Sequence, residues 1–480
     1  MASMATVSCC RRPLGFTEYF FALTTELNIP YSLAYTWQLE SKSPLSVDLI
    51  HQAAALLQET MPLLRLCVVK EMDGKYFFEL KDTVTVPLEV SNETDWRKEQ
   101  DEMMKVVYNL KTGPLWKMRF LPTVCRESAL GDTRKEGNPY TYAVIFGIDH
   151  VLTDGFTNMS ICRQFLKILN GLIDGGQPDK TPHTKIDPSL VDLMPQSEKA
   201  FGWMDYVVVG KFIWNTMFSK PKPNIFAVRY PLVDTYPSHT FSISTDGLSK
   251  EETKLLRKMC KLQQTTVNGA FTAAASTATA WMIYGRNKPQ GDIQENTVAV
   301  EQTVNMRRFC ETEEGKNALG VLFLSTLIPV TLSPSNDNPK SLWDAARSTS
   351  SQMHTIFENG DLLKQLRLAN YFVQKMKAKD LRSNMKISAE QRCFAISNMG
   401  DCSGILSGTG DHVQVTDVAR SANLLEGQSV VHFVHSLQGR LRYNLSYNAR
   451  RFTQEEANRY ASWTLELLRS LISNIDGTAV

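Results

Sequence analysis

The chain has no cysteine pair at the two-residue spacing of a metal or redox site. Its nine cysteines are scattered through 480 residues, with Cys9-Cys10 the only neighbours. An odd, unclustered set reads as free, mostly buried thiols in a reducing compartment, so a cytoplasmic protein is expected. Glycine-rich phosphate loops are missing as well. Neither G-x-G-x-x-G nor a Walker A pattern occurs, which argues against dinucleotide binding and nucleotide hydrolysis. No G-x-S-x-G elbow presents a serine for a hydrolase triad. Charge of one sign is not in excess: 52 Lys and Arg against 50 Asp and Glu leave a net charge of +2. That argues against a nucleic acid held by bulk electrostatics, although a local basic patch could still hold an anionic substrate. Apolar runs are short. Tyr142–Ile148 and Val321–Leu324 fall well below the ~20 residues of a membrane helix. Met1 to Arg12 hold no apolar stretch of a secretory signal, and Asp476 to Val480 match no lipidation or retention signal.

What is present is an ordinary globular composition, 43% apolar and 21% charged, in a chain too long for one core. Ser46 to Glu59 carries a helical stripe of Leu49, Ile50, Ala53, Leu56 and Leu57. Leu63–Val69 and Tyr76–Leu80 read as strands around an Asp73-Gly74 turn, and Trp116–Leu121 as another strand. Glu127 to Asn138 reads as a surface loop. Composition turns to Gly, Pro, Asp, Lys and Thr between Asp174 and Pro188. This predicts an N-terminal lobe over 1–185, a crossover linker over 186–229 and a C-terminal lobe over 230–480. Phe201 to Phe218 is aromatic and apolar, suited to packing between domains or, as the lesser option, to peripheral contact with lipid. Ser249 with Glu252, and Thr453 with Glu456, are capping boxes ahead of two helices, the last running through Leu468 and Ile472. Between them lie an alanine-rich helix over Val267–Tyr284 and strands at Thr297–Val304, Cys393–Ser397, Val413–Val418, Val430–His435 and Arg440–Tyr447. No internal repeat is present.

The stretch Ile148 to Gly155 stands apart. In Tyr140 to His150 the residues Tyr142, Val144, Phe146, Ile148 and His150 share one strand face. Asp154 and Gly155 follow at once, before a helix over Phe156–Asn170 that Asn170-Gly171 would stop. Several readings of His150 are open. It suits a core histidine, and Asp154 suits a helix N-cap. His150 and Asp154 could supply two metal ligands, but no second His, Cys or Glu cluster supports them, so no metal is expected. An unrelated hydrolase would need a nearby serine or cysteine, and Cys162 lies on the following helix. The reading that fits best is a general base without a covalent intermediate: an imidazole that takes the proton of a hydroxyl or amine attacking a carbonyl. Its second nitrogen then needs a carbonyl or polar partner to fix the tautomer. A buried Asp154 needs a cation, and Arg307 and Arg308 are the nearest candidates in kind.

His150-Val-Leu-Thr-Asp154-Gly155 resembles the HxxxDG motif of the CoA-dependent acyltransferase superfamily, which includes alcohol acetyltransferases, BAHD acyltransferases and condensation domains. Other segments agree in order. Met61-Pro62-Leu63-Leu64-Arg65 is similar to the HPxLR segment, with Met61 where histidine is usual. Gly113-Pro114-Leu115-Trp116, Thr266-Val-Asn268, Val304-Asn305-Met306-Arg307 and Ser397-Asn398-Met399-Gly400 match further family segments. The DFGWG of plant BAHD enzymes is absent, and Asp149 stands where condensation domains place a first histidine. With no carrier or adenylation module in the chain, a free-standing member similar to alcohol acetyltransferases is the preferred reading.

The resemblance implies an α/β fold of two chloramphenicol-acetyltransferase-like sandwich lobes, mixed sheets flanked by helices, with a tunnel between them. It implies His150 as the catalytic base, with Asp154, Gly155 and Arg307 structural at the site. It also implies that Asn305, Ser397, Asn398 and Gly400 contact substrate. No bound cofactor is expected. Acyl-CoA would be the cosubstrate, a small alcohol or amine the acceptor, and the protein a monomer. The alternative is a non-catalytic acyl- or lipid-binding protein on the same fold.

Overall fold

A strand buried over most of its length, Tyr140–Asp149, runs through the first lobe and delivers His150 at its end. The computed structural model describes residues 11–29, 31–82, 85–122, 140–176, 185–196, 202–203, 205–207, 224–234, 240–286, 296–333, 338–373, 391–425 and 427–473. The expected loop over Glu127–Asn138 and most of Phe201–Phe218 lie outside the described residues.

The strands in chain order are β1 Arg11–Pro13, β2 Ser32–Ser41, β3 Leu66–Lys70, β4 Tyr76–Leu80, β5 Leu88–Val90, β6 Trp116–Leu121, β7 Tyr140–Asp149, β8 Thr240–Ser244, β9 Asn296–Asn305, β10 Phe323–Leu332, β11 Arg392–Asp401, β12 Val413–Ala422, β13 Val430–Leu437 and β14 Arg440–Asn448. They form a five-stranded sheet ordered β12-β2-β7-β6-β5, a six-stranded sheet ordered β10-β9-β11-β13-β14-β8, and a small sheet ordered β1-β4-β3. Both large sheets mix parallel and antiparallel pairs. The principal helices are α1 Phe16–Glu26, α2 Val47–Thr60, α3 Trp96–Met103, α4 Gly155–Ile173, α5 Lys250–Leu262, α6 Val267–Tyr284, α7 Pro339–Glu358, α8 Asp361–Val373 and α9 Gln454–Ser473.

Alternation along β7 explains its placement. Val144, Phe146 and Ile148 enter the main core of the first lobe with Phe165 and Leu169 of α4 and Leu57 of α2. Ala143 and Ile145 point to the opposite face, where Trp96 and Met103 of α3 cover them. A strand clothed on both sides is almost wholly apolar. In the second lobe, α6 is buried along nearly its whole length, and its alanines let α7 and α9 approach closely.

Three differences from the sequence reading have physical causes. Leu63–Val69 begins as a 3-10 turn, Pro62–Arg65, because Pro62 fixes φ at its first position; the strand starts only at Leu66. Helix α4 does not stop at Asn170-Gly171. Asn170 instead remains in the helix, where its side-chain nitrogen donates to Val413 O at 3.0 Å and its oxygen accepts from the Val413 amide at 2.8 Å. That bond ties α4 to β12, which comes from the chain's last third yet pairs antiparallel with β2, Ala422 opposite Leu33. One strand of the 230–480 segment therefore completes the first sheet, an exchange that composition along the chain does not register. No helix among the described residues is long and apolar enough to cross a membrane.

Candidate active site

The chain reverses immediately after β7, and local hydrogen bonds fix the reversal. Asp149 Oδ1 accepts the Val151 amide at 2.9 Å, and its Oδ2 accepts the Thr25 hydroxyl of α1 at 3.1 Å. The His150 amide donates to Tyr31 O at 2.9 Å. His150 Nδ1 lies 2.7 Å from Thr153 O. A carbonyl oxygen only accepts, so the ring proton sits on Nδ1 and Nε2 carries the lone pair. Nε2 makes no hydrogen bond to a described residue, and His150 keeps 8% of its surface exposed.

Aromatic rings set the plane of the imidazole. Phe21 of α1 stacks on it at 4.3 Å between centroids, 7° from parallel. Tyr31 lies at 5.2 Å and Phe323 of β10 at 5.4 Å. Phe323 belongs to the second sheet, so the imidazole stands where both lobes meet. Burial pushes its pKa down to about 4, against the opposing pull of its backbone hydrogen bonds and of Asp154. The ring is therefore neutral at physiological pH. Burial also pushes the neighbouring Asp149 carboxyl up to about 7, partly offset by its hydrogen bonds from Val151 and Thr25.

Asp154 serves a different purpose. Its Oδ1 caps α4 by accepting the Thr157 amide at 2.9 Å. Its Oδ2 accepts Arg307 Nη1 at 2.6 Å and the Leu322 amide at 2.9 Å. Burial acts to raise the Asp154 pKa, but the Arg307 guanidinium and these hydrogen bonds outweigh it and hold the carboxylate ionised. Arg307 is itself saturated: Nε donates to Ala318 O at 2.8 Å, Nη2 donates to the Thr157 hydroxyl at 2.9 Å, and the guanidinium lies over the Phe156 ring. This buried pair clamps the start of α4 to the second lobe, and its carboxylate is fully occupied away from the imidazole.

The remaining expected residues have the following places. Gly155 packs against Met399, and a Cβ there would sit 2.7 Å from Met399 Sδ, so that flexible side chain would have to shift. Asn305 is exposed at the end of β9, where its Oδ1 accepts the Arg307 amide at 3.1 Å. The Ser397 carbonyl accepts Arg420 Nη2 at 2.9 Å. Asn398 accepts the Gly400 amide at 2.9 Å and donates to Asn268 at 3.2 Å. Asn268 continues the chain to Gln302 and Thr272 on β9 and α6. Gly400 adopts a positive φ of 70°, the reason a glycine stands there. Trp116 Nε1 donates to Leu64 O at 2.9 Å, so the two family-like segments around Leu64 and Trp116 touch. Cys162 is fully buried, and burial raises its thiol well above the ordinary range, which removes it as a nucleophile. No group of three or more metal-ligating side chains occurs among the described residues.

Sequence reasoning missed Phe21, Tyr31 and Phe323. Each lies on a segment whose periodicity marks it only as apolar, and nothing local signals that the three converge on one imidazole.

No protein-family model matches the chain by sequence, and no characterised protein matches it. Solved structures do match its fold. A trichothecene 15-O-acetyltransferase from Fusarium sporotrichioides superposes with a TM-score of 0.71 at 12% identity, covering 96% of each chain. Polyketide synthase associated protein 5 from Mycobacterium tuberculosis gives 0.61 at 14% identity, covering 97% of this chain and 98% of its own. The first condensation domain of the calcium-dependent antibiotic synthetase gives 0.62 at 12% identity, covering 97% of both. The chain thus has the two-lobed, chloramphenicol-acetyltransferase-like fold that these acyltransferase and condensation-domain structures share.

Proposed function

We propose that the protein transfers an acyl group from acyl-CoA to a small alcohol or amine by direct attack, with His150 as general base. The observation that carries the reading is the orientation of the imidazole. Thr153 O binds the Nδ1 proton, the aromatic stack fixes the ring, and Nε2 remains a neutral acceptor without a hydrogen-bond partner among the described residues. As the acceptor oxygen or nitrogen bonds to the thioester carbonyl carbon, its proton passes to Nε2. When the tetrahedral adduct collapses, the C–S bond breaks and the sulfur leaves with that proton, which regenerates the neutral imidazole. Burial keeps the ring unprotonated before each turnover. Asp154 and Arg307 hold α4, and with it the Thr153 carbonyl, in place.

Similar structures include a starter condensation domain in complex with C8-CoA, which supports a CoA thioester as donor. One chain supplies every group in this scheme, so a monomer suffices. The test is a thiol-release screen of acyl-CoAs of increasing length against a panel of alcohols and amines, with products identified by mass. Release that depends on an acceptor, with the acylated acceptor as product, is expected. Tight acyl-CoA binding without any turnover would favour the non-catalytic ligand-binding reading instead. Trp203 and Tyr206, 74% and 63% exposed, give that reading a surface, and vesicle flotation tests it.

A further inference from the structure

A cleft of about 740 Å³ opens beside α4 and takes residues from both lobes. Thr60 ends α2, Asn317 ends the short helix Glu313–Asn317 and Leu319 follows it before β10, and Gly404 and Ile405 follow β11. One face of α4 forms its wall: Phe156, Ser160, Arg163, Gln164 and Lys167 recur at the three- and four-residue spacing of a single helical stripe. Two of these side chains are cations, and none of the described lining residues is acidic. Arg163 and Lys167 are exposed, and neither forms an ion pair with a described residue. Phe156, which lines the cleft, packs under the Arg307 guanidinium that clamps Asp154.

Resting on the acyl-CoA reading above, we propose that Arg163 and Lys167 bind the phosphates of the CoA donor in this cleft, which becomes the donor's entrance to the site. The helix supplies a ruler. Arg163 and Lys167 lie eight and twelve residues beyond Gly155, which at 1.5 Å per residue is roughly 12 and 18 Å along α4 from the turn that carries His150. The pantetheine arm of CoA has as many chain bonds between sulfur and pyrophosphate as four extended residues, about 14 Å. A thioester at His150 therefore leaves the pyrophosphate near Arg163 and the rest of the nucleotide toward Lys167. The lining is half polar in kind and holds three glycines, Gly171, Gly176 and Gly404, so the wall is open to a bulky anion. A point charge and a planar fork one turn apart suit phosphates of differing geometry.

Titration calorimetry of CoA and of pantetheine, which lacks the phosphates, tests this on the full chain. The paired substitution Arg163→Gln with Lys167→Gln lies on an exposed helix face and is expected to fold; circular dichroism checks it. CoA affinity is expected to fall about tenfold in the variant, and the preference for CoA over pantetheine to fall with it. The single charge reversal Arg163→Glu is expected to weaken CoA further and to reduce the salt dependence of binding. Equal CoA affinity in wild type and variant, or an equal loss for CoA and pantetheine, overturns the assignment. Because binding is read without turnover, a protein that binds CoA through these cations yet transfers no acyl group would refute the proposed reaction alone.

Discussion

Replacing Asp154 by Asn separates a structural aspartate from a chemical one. The carboxylate has 6% side-chain exposure, its Arg307 partner 3%, and they meet at 2.6 Å. Asparagine offers one oxygen where aspartate offers two. If that oxygen keeps the Thr157 amide, the side-chain NH2 faces Arg307 Nη1 and the Leu322 amide, and three donors converge with no acceptor. Arg307 is left as a buried charge without its counter-ion, a change that costs about 3–5 kcal/mol. An unfolding entropy of about 2.1 cal/mol/K per residue over the whole chain, if it melts as one unit, converts this into a Tm lower by about 3–5 °C. Differential scanning calorimetry reads the shift, and thiol release reads the activity. Both are expected to fall together, because the same clamp holds the Thr153 carbonyl that sets the His150 tautomer. A double-mutant cycle with Arg307→Gln is expected to show coupling of about 1–3 kcal/mol. An Asp154→Asn variant with unchanged Tm and lost activity would refute the argument and place the carboxylate in the chemistry.

Three further outcomes follow from the surroundings of His150. The folded Asp149 carboxyl titrates at about 7 against an ordinary value of 3.8, so the native state holds more protons than the unfolded state between those pH values and stability falls as pH rises through them. Asp149→Asn removes that ionisation and keeps an acceptor for the Val151 amide; its stability relative to wild type is expected to improve between pH 4 and pH 8 by at most 1.36 × (7 − 3.8), about 4 kcal/mol, and a pH-independent difference in denaturant melts contradicts this. Thr25→Val removes the hydroxyl that joins α1 to Asp149, at an expected cost of about 1–3 kcal/mol. It should also lower kcat more than it raises KM, since Phe21 lies one turn earlier on the same helix. Stability loss with unaltered kcat would leave α1 a purely structural element. Finally, kcat/KM is expected to hold as pH falls and to decline only near pH 4, the value to which burial brings His150; a limb near 6.5 would mean an exposed imidazole.

The sequence made some of this legible. The apolar run ending in the HxxxDG segment exposed β7, and the two-residue period gave the face that carries His150, while capping residues located α5 and α9. That a buried Asp154 needs a cation, with Arg307 and Arg308 as candidates in kind, was legible; the choice of Arg307, 153 positions away, came from the family resemblance, because no local pattern connects an N-cap to a guanidinium in another lobe. β2 escaped notice because a strand buried on both faces shows little alternation. The exchange of β12 into the first sheet escaped because strand pairing between distant segments leaves no mark in local periodicity. The Phe21–His150–Phe323 stack escaped for the same reason, although it sets the geometry of the site more directly than most residues the motif singled out.

The account turns on one nitrogen. The most direct measurement is steady-state thiol release from acyl-CoA in the presence of an accepted alcohol or amine, comparing wild type with His150→Ala of verified fold. Loss of acceptor-dependent release by at least about 100-fold is expected, the usual contribution of a positioned general base. Release at the wild-type rate from the folded variant would contradict the account.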